Sequence, residues 1–244
     1  MASVFLWAVA GTQFIFWMTA LGAALVFFFA GEAELRFQRL LLGFAGGVMT
    51  AASVWSLLLP AIAQTALESA LPAWLPAASG LLLGAGFLAA ADALQRGAVG
   101  KERMLFTAIT IHNIPEGMAV GLAFALAADG ESLAAAMALA FGIGVQNFPE
   151  GAAVSLPLRQ LGAGRGRAFL WGAASGAVEP VFGLLAFCAA AQLHPLMPWL
   201  LGFSAGAMLY VTVRELAPEA GPTVGVFGYM GGFALMMILD VALG

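Results

Sequence analysis

Polar residues in this chain come in short clusters, separated by long apolar runs. Runs long enough to cross a bilayer, about 20 residues, fall at roughly 5–30, 39–64, 74–94, 104–128, 132–158, 167–192, 195–216 and 222–243. They predict eight transmembrane helices. The breaks carry charge or turn residues: Gly31-Glu32, Glu68 with Pro72, Gln95 to Arg103, Asp129-Gly130, Gly162 to Arg167, His194-Pro195, and Glu219 to Pro222. Connections this short make neighbours antiparallel and leave no room for a soluble domain. Residues 1–244 therefore read as a single membrane domain. Strand alternation is absent, so an all-α integral membrane fold is expected rather than a barrel.

Composition agrees. Hydrophobic residues make up 62% of the 244 and charged residues only 9%, with a mean hydropathy of +0.98. A soluble domain carries far more charge, and its core could not absorb this excess. Disorder is excluded by the hydrophobicity, and nucleic-acid binding by a net charge of -4. The lone Cys188 allows neither an intramolecular disulfide nor a cysteine metal cluster. No Lys or Arg precedes the first apolar run, so that run reads as a retained helix and not a cleaved leader.

The charges also predict orientation. With the N-terminus outside, the cytoplasmic loops follow helices 1, 3, 5 and 7. All nine basic residues lie in or beside these loops: Arg36 and Arg39; Arg96, Lys101 and Arg103; Arg159, Arg165 and Arg167; Arg214. This obeys the positive-inside rule and places both termini outside.

Two internal repeats stand out. Helix 2 reads LGFAGGVM from Leu42, and helix 7 reads LGFSAGAM from Leu201. The match continues at constant offset through Val54 and Val213, Leu57 and Leu216, and Ala61 and Ala220. The two helices cross in opposite directions, as in an inverted repeat. Helices 3 and 8 echo this through Gly80 and Gly228, Gly84 and Gly232, and Asp92 and Asp240. The second repeat is shorter: HNIPEG from His112 in helix 4 and QNFPEG from Gln146 in helix 5.

Three acidic residues, Glu116, Glu150 and Glu179, sit well inside spans. An intramembrane carboxylate costs about 2.5–3.5 kcal/mol by insertion scales. No Lys or Arg lies at mid-span, which leaves protons or bound metal ions as partners. Helix geometry favours metal. With His112 at zero azimuth, Asn113 falls at about 100° and Glu116 at about 40°. Glu116 can thus bridge one ion held with His112 and another held with Asn113. Gln146, Asn147 and Glu150 repeat the arrangement on helix 5. Pro115, Pro149 and Pro180 are expected to free the carbonyls of Ile111, Val145 and Gly176, and Pro180 places Glu179 at the same locus. These nitrogen and oxygen ligands suit Zn²⁺, and also Cd²⁺, Fe²⁺ or Mn²⁺. Weak carboxamide ligands suit an ion that must be released. Met49, on residues alone, reads as packing. Asp92, Glu215 and Asp240 read as membrane-edge charges.

HNIPEG on a fourth helix, QNFPEG on a fifth and VEP on a sixth resemble the ZIP (Zrt/Irt-like) divalent metal transporter family, in its GufA-like prokaryotic branch. The resemblance covers essentially the whole chain. It implies a 3+2+3 inverted-repeat architecture and a homodimer in the cell (inner) membrane. It implies that divalent metal, zinc foremost, moves towards the cytoplasm as substrate with no prosthetic group. His112, Glu116, Gln146 and Glu150 would form the first metal site, with Met49 contributing. Asn113, Asn147 and Glu179 would form the second, with Glu116 and Glu150 bridging. An elevator motion of helices 1, 4, 5 and 6 against helices 2, 3, 7 and 8 is also implied. The chain departs from many members in having Gln146 rather than His, Asn147 rather than Asp, and no His-rich loop between Gln95 and Arg103.

Two other functions compete on the residues. A proton-linked carrier or channel for another solute would use the glutamates as relays. An intramembrane metalloenzyme would need a motif such as H-E-x-x-H. Here the order is H-x-x-x-E with no second histidine nearby, so the chain is read as a carrier and not an enzyme.

Overall fold

The computed structural model describes residues 2–28, 33–95, 101–190 and 192–243. The ends of the first and sixth predicted spans, at 29–30 and 191, lie outside these residues, as does Arg96. The described chain folds into eight helical rods. They are α1 (Ala2–Ala23) with a short 3₁₀ turn (Ala24–Phe27); α2 (Ala33–Ala52) continued by α3 (Leu59–Glu68); α4 (Trp74–Gln95); α5 (Lys101–Ala128); α6 (Leu133–Gln160); α7 (Arg165–Ser175) continued by α8 (Val178–Ala190); α9 (Met197–Val211) continued by α10 (Ala217–Ala220); and α11 (Val224–Leu243). Seven rods are long and apolar enough to cross a membrane. The exception is α6, whose 28 residues carry Gln146, Asn147 and Glu150 near the middle.

The rods pair tightly as α2 with α11, α4 with α9, α1 with α6, and α5 with α8. Glycine seams explain the first two pairs. A Cβ on Gly43 or Gly47 would overlap the carbonyl oxygen of Gly225 or Tyr229, and one on Gly228 or Gly232 that of Leu40 or Phe44. The register rises on both helices together, so α2 and α11 run parallel. In the other pair, Gly202 and Gly206 meet the carbonyls of Ala77 and Leu81, while Gly80 and Gly84 meet those of Trp199 and Phe203. These are the same contacts moved by the offsets of the two sequence repeats. The likeness of helix 3 to helix 8 is therefore a likeness of packing as well as of composition. Small residues let backbones approach where lipid gives no hydrophobic drive.

Two features depart from the sequence expectation. The second and seventh rods are not uniformly α-helical. Each contains a π-helical segment, Ser53–Leu58 and Thr212–Leu216, and these begin at equivalent positions of the repeat. The sixth rod breaks at Gly176, just before Glu179. The carbonyl of Gly176, expected to be freed by Pro180, accepts the Glu179 N–H at 3.0 Å. The break satisfies that carbonyl locally.

A substitution series tests the seams. Gly206→Val and Gly47→Val should each destabilise the detergent-solubilised protein by about 2 kcal/mol or more, as overpacking does. Gly86→Val, where an added Cβ meets nothing within 4 Å, should leave thermal unfolding unchanged.

Candidate metal centre

The two proline–glutamate motifs lie within continuous helices, Pro115 inside α5 and Pro149 inside α6. The glycine that ends each motif seats a neighbouring rod. A Cβ on Gly117 would overlap the carbonyl oxygen of Glu179 on α8, and one on Gly151 that of Thr19 on α1. Glu179 and Thr19 thus hold equivalent places, one on each flank of the α5–α6 pair. They also meet directly, because the Thr19 hydroxyl donates to Glu179 Oε1 at 3.0 Å.

Asn113, Glu116, Gln146, Asn147, Glu150 and Glu179 are all buried, none more than 5% exposed. Their hydrogen bonds consume donors. Asn113 Nδ2 donates to the Ser175 carbonyl at 3.0 Å. Gln146 Nε2 donates to Asn147 Oδ1 at 2.6 Å, and Asn147 Nδ2 to the Ile15 carbonyl at 3.4 Å. Asn113 Oδ1, both oxygens of Glu116, Gln146 Oε1, Glu150 Oε1 and Glu179 Oε2 are buried without a hydrogen-bond donor. Glu116 acts electrostatically on Glu150, and Glu179 on Glu116, so the three carboxylates share one region. Glu150 also feels Glu215, on the π-helical segment of the seventh rod.

The structure places the other expected ligands as follows. His112 lies on α5, and its side chain is outside the described residues. Met49 is fully buried on α2, where its sulfur accepts from the Thr212 hydroxyl at 3.8 Å. It thus belongs to the α2–α9 half of the molecule. Among the described residues, no three His, Cys, Asp or Glu side chains lie close enough to hold an ion by themselves. Carboxamides are interleaved with the carboxylates.

Sequence reasoning missed Thr19 and Glu215. Thr19 lies one heptad after Thr12 in an apolar helix, and both are buried. That spacing on one helix face was the available signal. Glu215 and Asp240 were expected at membrane edges. In the structure Asp240 is 9% exposed and holds the Ser56 hydroxyl on Oδ1, and Glu215 interacts electrostatically with both Asp92 and Glu150.

Buried oxygens without donors call for a cation, because each unpaired acceptor in lipid costs free energy that a bound ion offsets. Comparison with known proteins bears on which class of protein uses such a site. The family model described as ZIP Zinc transporter matches residues 89–240, more than half of the chain. The chain belongs to the ZIP family. It is 36% identical to zinc transporter ZIP11 of Xenopus tropicalis, over 96% of each protein. It is 36% identical to zinc transporter ZIPB of Bordetella bronchiseptica, over 98% of this chain and 82% of that one. Zinc transporter GufA of Myxococcus xanthus is 44% identical across about half of both chains, 56% of this one and 54% of the other. With its apolar rods, this ZIP protein is a multi-pass membrane protein.

The oxygen cluster makes a stability prediction. Glu116→Gln should raise the melting temperature of chelator-treated protein, since it removes a buried charge. Zn²⁺ at about one hundred times its Kd should stabilise the native chain by about 2.7 kcal/mol, and Glu116→Gln should lose most of that gain. Thermal unfolding with and without Zn²⁺ measures both.

Proposed function

We propose that this ZIP protein carries divalent metal ions, zinc foremost, across the membrane towards the cytoplasm, through two adjacent positions between α5, α6 and α8. The observation that carries this reading is the set of buried oxygens left without donors on α5, α6 and α8. The names of the relatives support zinc as substrate. Cd²⁺, Fe²⁺ and Mn²⁺ suit the same ligands.

His112, Glu116, Gln146 and Glu150 hold the first ion, with Met49 completing its shell. Asn113, Asn147 and Glu179 hold the second, and Glu116 and Glu150 bridge the two. Thr19 orients Glu179 through its hydrogen bond. Asn113 and Asn147 are neutral, so the second position binds more weakly than an all-carboxylate site and releases its ion more readily.

All eight rods cross the membrane, with both termini outside. The parallel packing of α4 with α9 supports this. Three rods separate them in sequence, and α4 and α9 run the same way only if an odd number of the three cross, as they do when all three cross. Rods 1, 4, 5 and 6 pair among themselves and carry the metal ligands apart from Met49. Rods 2, 3, 7 and 8 form the glycine-seamed remainder. That division suits an elevator motion, in which the first group slides against the second, within a homodimer in the cell membrane.

Uptake into proteoliposomes tests the reading. Glu116→Gln and Glu150→Gln should each lower Zn²⁺ uptake by at least about tenfold, the least expected when a ligand is lost. Wild-type uptake retained in both correctly inserted variants would overturn it.

A further inference from the structure

The inverted repeat places an aspartate near the end of α4 and another near the end of α11: Asp92 and Asp240. Their surroundings differ. Asp240 accepts from Ser56 on one oxygen, while its Oδ2 is buried with no donor. Beside it lies a cavity of about 260 Å³ that Trp55 and Glu131 also line. Asp92 is covered instead. Its Oδ2 accepts the Tyr210 hydroxyl at 2.9 Å and lies 3.4 Å from Arg214 Nε. The repeat offset puts Ala51 and Trp55 where Tyr210 and Arg214 stand, so neither group covering Asp92 has a counterpart beside Asp240.

Asp92 is also connected to the metal centre. Glu215, beside Arg214 in sequence, interacts electrostatically with Asp92 on one side and acts on Glu150 on the other. Glu150, Glu215 and Asp92 thus form a series of acidic groups that interact pair by pair, and the last of them is held by Arg214. An ion leaving that way would meet Glu215 and then Asp92. A guanidinium on Asp92 takes the position such an ion would occupy. It also sets one positive charge beside the two acidic groups. Arg214 is 40% exposed while Asp92 is 13% exposed, so the arginine can swing to water while the aspartate stays.

We infer that Arg214 is a tethered cation which competes with the cargo for Asp92, so that ions pass out of this end more readily than they re-enter. The inference rests on the transport reading above and assigns the inner mouth to the α4 end. Exposed ion pairs are weak, so the effect is a bias in direction and not a block.

Membrane vesicles of known sidedness, holding the full chain, allow Zn²⁺ flux to be measured both ways with a metal-sensitive dye. Arg214→Gln should lower the ratio of inward to outward flux by about fivefold, the most that a pair of this exposure supports. Arg214→Lys should keep the wild-type ratio, and so should Asp92→Asn with Arg214→Gln, which removes the carboxylate as well. An unchanged ratio in Arg214→Gln, or a fallen one in the double variant, overturns the inference. If Arg214→Gln fails to insert, Tyr210→Phe keeps every charge yet loosens Asp92. A fall in ratio of about twofold is expected there, and no change counts against the proposal. Wild-type protein with no Zn²⁺ flux in either direction would sink the transport reading and this inference with it. Normal flux with an unchanged ratio sinks this inference alone.

Discussion

Carboxylate and carboxamide oxygens gathered in a low-dielectric interior cannot satisfy one another. Asn113, Gln146 and Asn147 each turn an N–H to a carbonyl or to a neighbouring amide. Asn113 Oδ1, Gln146 Oε1, both oxygens of Glu116 and one oxygen each of Glu150 and Glu179 are left buried without a donor. In water this would cost little. Inside a bundle of apolar helices it requires a positive partner, and the rest of the molecule is arranged around that requirement. The motif glycines bring α8 and α1 into backbone contact at Glu179 and Thr19, so that the third carboxylate arrives already held by a hydroxyl.

The remaining rods solve a different problem. In lipid, helices gain nothing by hiding apolar surface from one another, so close backbone approach must supply the attraction. The α2–α11 and α4–α9 seams do this with the same glycine spacing used twice. The two pairs form related halves of one body, and α5 and α6 lie between the repeat units in sequence. Two related glycine-seamed pairs beside a polar pair follow the inverted-repeat plan that many carriers share.

Much of this was legible in the residues. Rod positions followed from apolar length, and the glycine offsets that link helix 2 to helix 7 are the offsets of the packed contacts. The three buried glutamates stood out because charge is so scarce around them. Other features were hidden for physical reasons. Thr19 is one hydroxyl in an apolar helix, and its partner is 160 residues away. Glu215 looks peripheral by sequence distance to a helix end, yet its rod runs past the predicted limit as far as Ala220, and Asp240 is buried although its rod ends where predicted. The turn at Gly176 uses a carbonyl that proline counting alone assigns to the cavity. The π-helical segments change hydrogen-bond register rather than residue type, and their trace in the sequence is slight, a proline two residues beyond each, Pro60 and Pro218.

Those segments carry a consequence for the faces of the two rods that contain them. An i→i+5 turn accommodates one more residue than an α-helical turn, and one residue is about 100° of rotation. Beyond Leu58 and Leu216, the rods therefore present to their neighbours a stripe about a quarter-turn away from the one that α-helical periodicity projects. Pro60 and Thr65 lie past this phase change on one rod, and Ala217 and Ala220 on the other. Each rod thus joins two surfaces of different phase within one continuous helix, with Met49 and Met208 on the stretch before the change. One rod can in this way present two differently phased surfaces to two neighbours without a break in the backbone.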